Sequence, residues 1–76
     1  MSLRLPRVTA IELLRALRRD GWLQVRQHGS HVILKHPTKT GRVVVPMHTN
    51  KILRLQTLES ILEEAELTPD ALRELL

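Results

Sequence analysis

The chain predicts an α+β fold in which a three-stranded antiparallel sheet carries two helices on one face, with a short helix at the C-terminus. Three observations carry that prediction. Ala10, Leu13, Leu14 and Leu17 recur at helical spacing; three short β-rich runs separated by turn residues follow; and Leu58, Ile61, Leu62 and Ala65 then repeat the helical stripe. Two apolar stripes and one apolar sheet face satisfy each other most simply when both helices lie on the same side.

Each element has its own signals. Thr9 followed by Glu12 is a capping box, so the first helix runs from about Ala10 to Asp20. Arg18 and Arg19 suit the negative end of its dipole, and Gly21 can take the left-handed conformation that stops it. Residues 22–27 alternate loosely, with Leu23 and Val25 on one side, and read as a strand. His28, Gly29 and Ser30 turn the chain into a second strand, 31–36, and residues 37–41 turn it into a third, 42–46. Residues 47–55 have no stable period and cross from the sheet to a helix at about Gln56 to Glu66. Thr68 and Pro69 are a cap and a first-turn proline for a last helix, 69–75. No repeat or linker interrupts the order, so 1–76 is expected to be one domain with its core at about 9–67.

Composition narrows the function classes. The 76 residues carry a net charge of +4, but residues 1–51 hold ten Lys/Arg against two acidic residues, and residues 52–76 hold two Arg against six. A basic front end favours a polyanion such as RNA or DNA, because neutralising phosphates supplies affinity through counterion release. Cysteine is absent, which removes disulfides and thiolate chemistry. Apolar runs reach only four or five residues and no secretory signal is visible, so a cytoplasmic location without membrane contact is the expectation. His28 and His31 lack further ligands nearby, and Asp20 is the sole acidic residue between Glu12 and Glu59, so neither a zinc site nor a carboxylate-held metal pair is expected.

The stretch 26–36, RQHGSHVILKH, places three histidines around a Gly-Ser turn. Strand parity puts Val32 and Leu34 on one face and His31, Ile33 and Lys35 on the other. If the more apolar pair meets the helices, His31 and Lys35 point to solvent on an open face where a shallow RNA site can form. Gly29 and Ser30 are read as turn-shaping residues, and His36 and His48, beside prolines at strand ends, as non-catalytic. Trp22, next to a helix-ending glycine, is read as a packing residue, and the lack of Tyr and Phe argues against a base-stacking platform.

The N-terminal helix, Gly21-Trp22, Val25-Arg26-Gln27, Gly29-Ser30-His31, His36-Pro37, Val45-Pro46 to His48 and the helix near Thr57-Leu58 together resemble the HicA (YcfA-like) mRNA interferase toxins. The resemblance covers residue 9 to about 72. It implies a double-stranded-RNA-binding-domain-like fold, ribosome-independent cleavage of mRNA, neutralisation by a HicB antitoxin and a catalytic role for the histidine of Gly-Ser-His, here His31. Two positions depart from the usual pattern: Gln56 and Glu66 stand where such chains commonly have glycine.

The expected chemistry follows from the substrate. RNA carries its own nucleophile, so an enzyme need only deprotonate the 2′-hydroxyl, stabilise charge at phosphorus and protonate the leaving oxygen. Imidazole, with an ordinary pKa of about 6.5, suits proton transfer at neutral pH. His31 is the candidate base, His28 or water the acid, and Lys35 and Arg26 are supporting cations; reversed roles remain open. No cofactor is expected. The toxin is expected to be monomeric when free and hetero-oligomeric with its antitoxin. A non-catalytic RNA-binding module is the alternative.

Overall fold

The computed structural model describes residues 5–48 and 51–76; Thr49 and Asn50 of the predicted crossover lie outside the described residues. Six elements follow in the expected order: α1 (Ala10–Arg19), β1 (Leu23–His28), β2 (His31–Lys35), β3 (Arg42–Pro46), α2 (Leu55–Ala65) and α3 (Pro69–Leu75). The strands form an antiparallel sheet in the order β1-β2-β3. This α-β-β-β-α arrangement is the double-stranded-RNA-binding-domain-like fold.

The predicted capping box opens α1. Thr9 Oγ1 accepts from the Glu12 backbone N–H at 3.2 Å, and Glu12 Oε1 accepts from the Thr9 N–H at 2.8 Å. The helix closes on Gly21, at φ +105°, with the Trp22 N–H reaching back to the Leu17 carbonyl at 2.9 Å. Leu13, Leu17, Trp22, Leu34, Val43, Val45, Leu58 and Leu72 are the large side chains fully inside, and they join the helices and the sheet in one core.

β1 departs from the predicted alternation. A bulge between Gln24 and Arg26 leaves Val25 without a partner and pairs Leu23 with Lys35, so Leu23 and Val25 do not form an inward face. Both are exposed, at 61% and 53%. The reason is position: both main helices contact β3, whereas β1 is an edge strand exposed along its whole length. A bulged edge with polar residues on both faces also resists pairing with another chain.

α2 ends on a residue that sequence alone marks as unusual. Glu66 adopts φ 57°, ψ 45°, the left-handed conformation, while the Leu67 N–H closes back on the Leu62 carbonyl at 2.9 Å. Helix 2 thus uses a glutamate in the role that Gly21 fills in helix 1. Lys39 offsets the charge there, since its Nζ donates to the Ala65 carbonyl at 2.9 Å and to Asp20 Oδ2 at 2.7 Å. A left-handed non-glycine residue costs about 1 kcal/mol or more, so Glu66→Gly is expected to stabilise the fold by about 1 kcal/mol in urea denaturation. An unchanged or lower midpoint would show that the helix end is not strained. Gln56, the other departure, lies within α2 and needs no left-handed angle.

Candidate active site

The uncovered face of the sheet is assembled by register. β2 presents Val32 and Leu34 to the core and His31, Ile33 and Lys35 to the other side, as parity predicts. Across the hairpin His28 pairs with His31, Arg26 with Ile33 and Leu23 with Lys35; on the other flank His31 faces Pro46, Ile33 faces Val44 and Lys35 faces Arg42. Cross-strand partners share a face. The face therefore has three rows: His28, His31 and Pro46 at one end, Arg26, Ile33 and Val44 in the middle, and Leu23, Lys35 and Arg42 at the other.

Within that face the candidate residues fall into near and far groups. His28 and His31 are direct partners, about 5 Å apart at their Cα atoms, and both side chains are exposed. Arg26 is one row away. Lys35 is four residues along β2, about 13 Å from His31, in the row of Arg42. Two imidazoles and one guanidinium thus meet on one solvent-facing surface, with a cation pair farther along. Among the described residues no three His, Cys, Asp or Glu side chains come together as a metal-binding group.

A two-residue loop sets the histidine pair. Gly29 has φ +61° while Ser30 stays out of the left-handed region, which matches the hairpin turn that needs glycine at its first central position. Gln27 Nε2 donates to the Gly29 carbonyl at 3.2 Å, and the Met47 N–H donates to the Ser30 carbonyl at 2.6 Å. The turn is therefore held from both flanks, which limits the relative movement of His28 and His31.

The other two histidines have different surroundings. His36 Nδ1 accepts from the backbone N–H groups of Thr38 and Lys39, at 3.1 and 3.2 Å, so the ring proton sits on Nε2 and is donated to the Asp20 carbonyl at 2.7 Å. The ring also meets Trp22 edge-on at 5.2 Å between centroids. His36 thus clamps the end of α1 to the turn after β2. His48 is exposed and lines a groove of about 490 Å³ with Pro46, Lys51, Arg54 and Thr57 over Ile52 and Leu53. Sequence reasoning passed over Lys51 and Arg54 because the crossover lacks a period; their shared sign beside a helix start was the available signal.

The family model of the HicA toxin of bacterial toxin–antitoxin matches residues 11–67. The chain belongs to the HicA toxin family. The match runs from α1 through the end of α2 and takes in Arg26, His28, His31, Lys35 and the groove residues, leaving α3 outside. No curated protein matches the chain. As a HicA-family member the chain has the toxin's part in a toxin–antitoxin pair. Among the described residues of this HicA chain, no helix is long and apolar enough to cross a membrane.

Proposed function

We propose that this chain is an endoribonuclease toxin that cleaves mRNA without a metal ion and is neutralised by a HicB-type antitoxin covering the open sheet face. The observation that carries the reading is the exposed His28–His31 pair on that face, with Arg26 one row away.

The reaction needs two proton transfers and charge stabilisation. His31 takes the proton of the ribose 2′-hydroxyl as its oxygen attacks phosphorus. The bond from phosphorus to the 5′-oxygen breaks, and His28 delivers a proton to that oxygen. The products are a 2′,3′-cyclic phosphate and a 5′-hydroxyl, with no co-reactant consumed. Arg26 offers charge and a planar fork of donors to the phosphorane oxygens. Lys35, with Arg42 beside it, addresses the substrate backbone at a greater distance. Gly29 and Ser30 act by holding the two histidines at hairpin spacing.

The test is incubation of wild type with a labelled single-stranded RNA and its DNA analogue in EDTA, followed by analysis of the product ends. Cleavage of RNA alone, leaving 2′,3′-cyclic phosphate, is expected. Activity lost on chelation, or equal cleavage of DNA, would remove the mechanism. Salt-sensitive RNA binding with no cleavage by the folded protein would identify a binding module instead.

A further inference from the structure

We propose that the groove between the end of β3 and the start of α2 is a phosphate-binding subsite for the RNA strand that reaches the histidine pair, with Lys51 and Arg54 as its phosphate ligands. The proposal rests on the ribonuclease reading for its substrate and extends it to residues outside the sheet face.

The groove has the size and lining for such a ligand. Its volume of about 490 Å³ lies in the range of small-molecule sites, so it admits a nucleotide-sized group. Lys51, Arg54, His48 and Thr57, all with side chains able to donate hydrogen bonds, line it, and among the described residues no acidic one does. Lys51 and Arg54 are exposed, and neither is held by a carboxylate: the ion pairs among the described residues are Lys39 with Asp20 and Arg73 with Asp70. Two unneutralised cations at a concave surface attract and hold a polyanion.

Position separates this groove from an ordinary basic patch. Pro46 lines it and is also the cross-strand neighbour of His31, so the groove opens at the histidine end of the sheet rather than at the Lys35 end. The backbone bond from Met47 to Ser30 ties the strand leading into the groove to the turn between His28 and His31. The groove therefore adjoins the histidine end of the face, on the side where the flanking part of a bound strand would lie.

The experiment compares His31→Ala with His31→Ala carrying Lys51→Gln and Arg54→Gln, measuring the affinity of each for a labelled single-stranded RNA across a salt series. Both changed side chains are exposed, and matching thermal melts verify that the fold is kept. Loss of two phosphate contacts is expected to weaken binding about tenfold or more and to make the slope of log affinity against log salt shallower by about 1.4. With His31 intact, the same pair of changes is expected to raise KM far more than it lowers kcat. Unchanged RNA affinity and slope, in a protein that still cleaves RNA, would overturn the subsite and leave the nuclease reading standing. Unchanged RNA binding with loss of neutralisation by the antitoxin would also overturn it, making the groove a protein interface. Weakened RNA binding in a protein whose wild type does not cleave would sustain the subsite and remove the nuclease.

Discussion

Replacing His31 with alanine is expected to lower the single-turnover rate of RNA cleavage by about 10²- to 10⁴-fold, the usual worth of one positioned proton-transfer group, while RNA affinity stays within about twofold. The side chain is exposed on the open sheet face, so the fold should be unaffected. If His31 and His28 act as base and acid of one step, the double variant should be little worse than the poorer single variant. Their roles are separable with a substrate whose bridging 5′-oxygen is replaced by sulfur, a leaving group that needs no proton. His28→Ala should recover most of its activity on that substrate, and His31→Ala should not. Recovery in the opposite variant would reverse the assignment, and full activity of His31→Ala on ordinary RNA would remove histidine catalysis altogether.

Trp22→Ala is expected to produce the largest loss of stability of any single truncation. Its side chain is the largest of those fully buried, and removing an aromatic ring from a packed core costs about 3–5 kcal/mol. Domains of this length have roughly 4–11 kcal/mol in total, so this loss removes a large share of the stability and should lower the urea midpoint steeply. Trp22→Phe should cost much less, because it keeps a ring beside His36 and removes the indole Nε1, which is buried without a hydrogen-bond partner among the described residues. Urea denaturation followed by circular dichroism is the measurement, since the chain has no other aromatic residue to report fluorescence. A small loss in Trp22→Ala would mean that the core collapses around the space, contrary to the packing of α1, the sheet and the His36 clamp.

The sequence alone determined the elements, because their signals act over a few residues. The Thr9–Glu12 box, the Gly21 stop, the Thr68 cap and the two apolar stripes each depend on hydrogen bonds or packing within one or two turns, and each has its expected place in the fold. The face of His31 was legible for the same reason, since the apolar neighbours Val32 and Leu34 oblige it to point away from the core. The structure alone decided what stands beside it. The bulge at Val25 resets the pairing of β1, so Leu23 rather than Gln24 faces Lys35, and a one-residue shift of this kind leaves no periodic trace. His36 and Lys39 took their clamping positions because Asp20 and Ala65, distant in the chain, were brought to the same corner of the fold. The groove of Lys51 and Arg54 likewise arises only where β3 and α2 converge, a long-range arrangement of side chains that no short window of residues encodes.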